Sequence, residues 1–176
     1  MAVEVRRAVP DDAAPIAAVH VRAWQVAYRG LMPDDVLDGL SVERREEMWQ
    51  QALTGEDSPG VYVAVTDGAV VGFCAVAAPS RDDDAEDGVG EIAAIYVEPD
   101  VRRTGAGRAL MDVALEDLRA DGWQWVTLWV LAENQPARDF YSRYGFEPDG
   151  AEMTHEGSGE KEVRLRGVVP ADVPRG

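Results

Sequence analysis

Three arginines and two glycines crowd into seven residues, Arg102-Arg103-Thr104-Gly105-Ala106-Gly107-Arg108, in a chain with 33 Asp and Glu against 17 Lys and Arg. Such a concentration of positive charge in a chain of formal net charge -16 points to an anionic ligand at this spot. Glycines let the backbone come close to that ligand. A helix opening directly after them offers first-turn N–H groups that lack intrahelical acceptors, which suits a pyrophosphate. Spacing separates the folds that use such a turn. A P-loop requires Gly-x-x-x-x-Gly-Lys-Ser/Thr, and no Lys follows Gly107; the dinucleotide pattern requires a third glycine where Leu110 stands. What remains is Arg102-x-x-Gly105-x-Gly107.

A loop of this kind needs a strand before it and a helix after it. Residues 92–97 are an apolar run that reads as a buried strand, Pro99-Asp100 stops it, and residues 104–120 read as an amphipathic helix closed by Asp121-Gly122. Residues 123–131 are again β-rich and apolar, so they predict a second buried strand parallel to the first, with the helix as a right-handed crossover. Upstream, residues 3–8 alternate as a short strand that Pro10 ends. Asp11 or Asp12 can cap the next helix, where Ile16, Val19, Ala23 and Ala27 share a face and Gly30 is the stop. Pro33-Asp34-Asp35 opens another helical piece, and Ser41 caps a third that carries Val42, Met48, Trp49 and Ala52. Residues 54–60 read as a loop. Residues 61–65 and 69–77 flank Thr66-Asp67-Gly68, an antiparallel hairpin signal. Residues 146–154 and 160–169 predict two closing strands around Gly157-Ser158-Gly159, and residues 170–176 a frayed tail.

A length of 176 residues, 46% of them hydrophobic, with five Trp, predicts one packed domain over residues 1–176 that buries roughly two-thirds of its unfolded surface. The chain has no apolar run of membrane-spanning length and no basic-then-apolar start, so it reads as cytoplasmic. Cys74 stands alone, which excludes an internal disulfide and, on strand alternation, makes it a small core residue. With only His20 and His155, neither a metal site nor a Ser/His/Asp triad is supported, and no metal is expected. A pI near 4.4 argues against nucleic acid and anionic membrane as partners and favours cationic ones. The acidic run 81–88 lacks calcium-loop spacing and reads as a solvated loop, or else as a lip that attracts a cationic acceptor. Trp24, Tyr28 and Trp49 are either core aromatics or the lining of an acceptor pocket.

A second segment follows the second buried strand: Asn134, Ala137, Phe140-Tyr141 and Gly145-Phe146, with Asn134 placed 27 residues beyond Gly107. Together with Arg102-x-x-Gly105-x-Gly107 this resembles the GCN5-related N-acetyltransferase (GNAT) family, and the element order is similar over residues 3–169. The resemblance implies an α/β (α+β) acyl-CoA N-acyltransferase fold. That fold has a mixed central sheet of about seven strands, about four helices, and a splayed parallel pair formed by the fourth and fifth strands. It implies acetyl-CoA as co-substrate. Ile95, Tyr96 and Val97 resemble the strand whose backbone pairs with the pantetheine arm. Arg102, Arg103, Thr104, Gly105, Ala106, Gly107 and Arg108 resemble the pyrophosphate loop. Asn134 resembles the pantetheine-binding asparagine, and can also cap its helix. Tyr141 resembles the general acid that protonates the leaving thiolate, with Tyr144 as a nearby competitor. Glu91 stands where many members carry the carboxylate that takes the acceptor's proton through water, and the Val97 N–H where an oxyanion is met.

The implied reaction is transfer of acetyl from acetyl-CoA to a primary amine in a ternary complex, with Trp24, Tyr28 and Glu91 as candidate acceptor contacts. Two other readings stay open: a CoA-binding sensor without turnover, and a protein-modifying enzyme acting on a lysine or an N-terminal amine. The acceptor is a small molecule or a peptide, and a homodimer is a common outcome in the family. Acceptor identity is not legible, because residues 20–60, 78–90 and 150–160 are the variable helices and loops that set it.

Overall fold

In the computed structural model residues 2–55 and 60–170 are described. They run β1 (Glu4–Arg7), α1 (Ala13–Ala27), α2 (Asp34–Asp38), α3 (Val42–Thr54), β2 (Gly60–Thr66), β3 (Ala69–Ala77), β4 (Val89–Val97), α4 (Ala106–Ala120), β5 (Trp125–Leu131), α5 (Gln135–Arg143), β6 (Glu147–Thr154) and β7 (Lys161–Val168). The seven strands form one mixed sheet in the order β1-β2-β3-β4-β5-β7-β6, antiparallel throughout except for β4 and β5. This is the GNAT-type arrangement expected from the sequence. The helices number five among the described residues against about four in the family pattern, the short α2 being the piece expected to open at Pro33-Asp34-Asp35. The tail 171–176, part of the segment expected to fray, and residues 56–59 of the expected loop lie outside the described residues.

Local chemistry explains the boundaries. Asp67 and Gly68 both take positive φ, 51° and 81°, the type I′ turn whose twist matches a two-stranded ribbon. Ser41 caps α3 by accepting the Arg44 N–H at 3.2 Å. Asp12 does not cap α1 through its side chain. Its carboxylate accepts the Val9 N–H at 2.8 Å and pairs with Arg6, closing a 3₁₀ turn over Pro10–Asp12 before the helix. The strand expected from residue 123 begins at Trp125, because the Trp123 N–H still bonds the Leu118 carbonyl and the Gln124 N–H bonds Gly88.

Helices cover both faces of the sheet. On one face α4 lays Leu110, Met111, Ala114, Leu115 and Leu118 against Tyr62, Cys74, Ile92, Val126, Leu128 and Val130. Each fully buried Leu or Met in that layer contributes on the order of 2 kcal/mol relative to exposure. On the other face α1 and α3 bury Ile16, Val19 and Trp49 against Val61, Val63, Phe73 and Ala75. Cys74 is fully buried on the α4 face as the core residue expected, and burial pushes its thiol up to about 12.

The irregularity that matters lies in β4. Ala94 faces Ala75 and Ile92 faces Val76, so Ala93 is one residue too many, a β-bulge. Below it β4 pairs with β5 only at Val89–Trp125, Gly90–Val126 and Glu91–Thr127. Above it the two strands have no register with each other, although β3 continues to pair with β4 up to Val97 and β7 with β5 up to Leu131. The parallel pair is splayed, and its two inner edges are left without strand partners.

Candidate active site at the splayed strands

Strand alternation decides which backbone groups line the opening. The Glu98 N–H donates to the Val71 carbonyl at 2.7 Å, so Glu98 and Tyr96 aim their main-chain groups at the β3 side. Ile95 and Val97 therefore aim theirs at the gap left by β5. Side chains alternate too: Ile95 and Val97 pack on the α4 face, and Tyr96 on the α1 face.

The arginine–glycine loop sits at the head of this gap. Gly105 is the N-cap of α4 with φ 91°, Arg103 also has positive φ at 67°, and Thr104 Oγ1 donates to the Val101 carbonyl at 2.7 Å. A left-handed φ at Gly105 costs a side-chain-bearing residue roughly 1–2 kcal/mol, which accounts for the glycine there. No side chain caps α4, so the first-turn amides, those of Ala106, Gly107 and Arg108 among them, face outward. Arg102 and Arg103 are exposed and form no ion pair among the described residues. Gly107 lies beside Phe140 and Val97, where an added Cβ would stand 3.7 Å from each.

α5 brings up the second motif. Asn134 Oδ1 accepts the Ala137 N–H at 3.3 Å, a helix cap that leaves its amide NH₂ without a partner among the described residues. Tyr141 is nearly buried between Phe140 and Phe146, with ring centroids at 5.5 and 6.1 Å. Burial, then the neighbouring Tyr96 and Cys74, push its ionisation far upward, so it is present as the neutral phenol. Tyr144 is committed elsewhere: its hydroxyl donates to Asp112 Oδ1 at 3.0 Å and ties α5 to α4.

Glu91 is buried, and both of its oxygens are engaged. Oε1 accepts the Arg81 N–H at 3.0 Å and Arg81 Nε at 3.2 Å, and Oε2 accepts Arg81 Nη2 at 2.8 Å. Burial alone would raise its pKa, but the Arg81 hydrogen bonds and charge outweigh that and hold it below the usual carboxylate range. The geometry is that of a clamped anion, not of a carboxylate standing free to receive a proton. Residues 83–87 of the acidic run are exposed, as a solvated loop requires, but the run is also anchored. Asp82 accepts Trp129 Nε1 at 2.9 Å, and Asp82, Asp84 and Asp149 all pair with Arg164, whose guanidinium lies over Trp129. These contacts latch the loop to β5, β6 and β7.

The α1 face of the splay is an aromatic compartment. Tyr28 and Tyr96 share a hydroxyl hydrogen bond at 3.1 Å, and Trp24 stands edge-on to Tyr28 with centroids 5.1 Å apart. His155, from the β6–β7 connection, packs on Trp24 at 5.5 Å. The Trp24 Nε1 atom is buried near the Tyr96 hydroxyl without completing a hydrogen bond. Trp24 and Tyr28 pack in this cluster with Leu37 and Leu131, and Trp49 packs in the neighbouring α1–α3 core, donating to His20 Nδ1 at 3.3 Å. Burial, then the charge of Arg45, lower the His20 pKa to about 3, which makes it a neutral packing residue. Two charged residues bordering the compartment, Arg45 on α3 and Glu162 on β7, carried no signal in the sequence, where each reads as one more charge on an amphipathic element. A separate cleft of about 510 Å³ lies between Arg7, Tyr62 and Arg81 and the C-terminal half of α4 at Asp117 and Asp121, away from Gly105.

A gap between splayed parallel strands, headed by an arginine–glycine helix start and flanked by Asn134 and Tyr141, defines a class of acyl-CoA-dependent transferase. Residues 22–146 match the model of the acetyltransferase (GNAT) family, and the chain belongs to that family of acetyl-CoA-dependent N-acetyltransferases. It is 34% identical over 143 residues to an uncharacterised N-acetyltransferase of Bacillus subtilis, covering 81% of this chain and 79% of that protein. It is 32% identical over 156 residues to the mycothiol acetyltransferase of Streptomyces avermitilis, which spans 88% of this chain but only 44% of that protein. The crystal structure of PaiA N-acetyltransferase from Thermoplasma acidophilum in complex with coenzyme A has the same fold, with a TM-score of 0.74 at 18% identity, covering 93% of this chain and 98% of that one. No helix among the described residues is long and apolar enough to cross a membrane.

Proposed function

We propose that the chain transfers the acetyl group of acetyl-CoA to a primary amine of a small molecule or peptide by direct attack in a ternary complex. The observation that carries this is the gap itself. Ile95 and Val97 present unpaired main-chain donors and acceptors to it, in line with the open amides at the start of α4. An arm bearing amides can extend β4 along that edge and meet the Asn134 amide, while its pyrophosphate meets residues 102–108. A phosphate-free ligand would use only half of these groups.

In this reading the amine nitrogen attacks the thioester carbon, the C–N bond forms, and the oxyanion meets the Val97 N–H. The C–S bond then breaks, and Tyr141, held neutral by burial, donates its proton to the departing sulfur and regains one from the nitrogen that has become an amide. The attacking amine must first lose a proton, since an alkyl ammonium lies about 3 units below its midpoint at pH 7. Glu91, clamped by Arg81, is better suited to hold the β4–β5 junction than to accept that proton directly, so the proton leaves through water. Calorimetric titration with acetyl-CoA, followed by thiol release against amines, polyamines and peptides, tests the proposal. Binding with release for one amine class supports it, binding without release across the panel favours a sensor, and no binding overturns the assignment of residues 102–108.

A further inference from the structure

Most carboxylates and guanidinium groups that this fold takes out of water are neutralised locally. Asp12 pairs with Arg6, Glu98 with Arg22, Glu91 with Arg81, and Arg164 with three aspartates. Arg45 and Glu162 depart from this pattern on the two sides of the aromatic compartment. Both are half-buried, and neither side chain makes a hydrogen bond or ion pair among the described residues, with each other or with anything else. Burial disfavours the charged form of each, lowering the Arg45 pKa and raising that of Glu162.

Their positions are set by rigid elements. Arg45, one turn into α3, lies over the Trp24 ring with its guanidinium carbon 5.2 Å from the centroid. Glu162 sits opposite Leu131 across the β5–β7 ladder, on the same face, and Leu131 packs with Tyr28, Trp24 and Tyr96. The charges of both residues act on the Tyr96 hydroxyl with opposite sign, and Glu162 also acts on Tyr28. One cation and one anion without an ion-pair partner among the described residues therefore border a single aromatic cluster of Trp24, Tyr28, Tyr96 and His155, with His155 opposing the Glu162 charge only in part. An uncompensated, partly desolvated charge is costly to keep, and an opposite charge on a ligand relieves that cost.

We propose that this compartment is the acceptor subsite and that it takes an amine that also bears an anionic group, an amino-acid-like zwitterion, with Glu162 on the ammonium and Arg45 on the anion. The proposal rests on the acetyltransferase reading above and specifies its substrate class. A simple alkyl amine or polyamine would satisfy Glu162 and leave Arg45 unanswered. A planar guanidinium already stacked on an indole is pre-organised to receive a carboxylate in a bidentate pair.

The test uses the full chain and matched probes: α- and ω-amino acids, each beside its own carboxamide, which keeps the amine and removes the negative charge. Thiol release should favour the acids over the amides by about 10- to 100-fold in kcat/KM, the worth of one charge-assisted hydrogen bond. Arg45→Gln should collapse that ratio toward one by raising KM for the acids, and Glu162→Gln should raise KM for both series. Acetyl-CoA titration of each variant should match wild type, since neither residue lies on the residue 102–108 side of the gap. Equal use of acids and amides by wild type, an Arg45→Gln ratio unchanged from wild type, or turnover of other amines but of neither series overturns the proposal and leaves the transferase reading standing. Failure of wild type to bind acetyl-CoA overturns that reading itself.

Discussion

Replacing Arg81 with Met removes the two guanidinium bonds to Glu91, at 3.2 and 2.8 Å, and retains the main-chain bond at 3.0 Å. The carboxylate side chain is 2% exposed and the arginine side chain 65%, so the pair is buried at one end and wet at the other. Breaking a fully buried pair costs about 3–5 kcal/mol; with the arginine end screened by solvent, about 1–3 kcal/mol is the reasonable expectation. At this chain length each kcal/mol shifts Tm by about 2–4 °C, so a fall of about 2–12 °C is expected at pH 7. The sign of the pH dependence follows from the folded-state ionisation of Glu91. In the native protein burial raises its pKa but the arginine more than reverses this, so the pair stabilises above the unfolded value near 4.5, and that contribution fades as pH falls through the lower folded value. In the variant the burial effect is opposed only by the main-chain bond and the weak Ser80 contact, so the ionised carboxylate becomes a liability above the same pH. The gap in Tm between the two proteins should therefore be widest at pH 6–8 and close toward pH 4. Thermal unfolding followed by circular dichroism across that range measures it. A gap that is equally wide at pH 4 would refute the claim that Arg81 acts by holding the Glu91 charge.

Gly105→Val forces a branched side chain into a left-handed φ at the start of α4, which should weaken acetyl-CoA binding at least ten-fold by calorimetry; wild-type affinity would remove residues 102–108 from the cofactor site. Tyr141→Phe should lower kcat by about 10²-fold or more while acetyl-CoA affinity holds, as loss of one proton donor requires. Unchanged turnover would take Tyr141 out of the acid role. Glu162→Gln should raise Tm at neutral pH, because burial raises this carboxyl against a smaller opposing effect of His155, with Tyr28 and Tyr96 also facing it. A raised carboxyl makes the native protein lose stability as pH rises from the unfolded value near 4.5 through the folded one, so the variant's advantage should appear over that window and vanish below it. An advantage that persists at pH 4 would point to packing instead.

Short-range chemistry carried most of the fold. Continuous apolar runs at residues 61–65 and 69–77, the Asp67-Gly68 turn, Pro99 and the paired motifs around Gly105 and Asn134 are local signals, and local signals survive in a linear string. They were enough to place the strands, the crossover helix and the membership of the GNAT family. What depended on tertiary structure is the electrostatics of the site. Whether Glu91 stands free is set by Arg81, ten residues back in the chain, folding over it, and the acidic run becomes a latch because Arg164 arrives from the far end of the sheet. Tyr144 is tied to Asp112, 32 residues earlier, while Tyr141 packs toward the core. Arg45 and Glu162 meet one compartment from α3 and β7, 117 positions apart in sequence. Pairing between charges is a property of distances in space. A sequence orders its charges along a line, and only the folded sheet decides which of them remain unanswered.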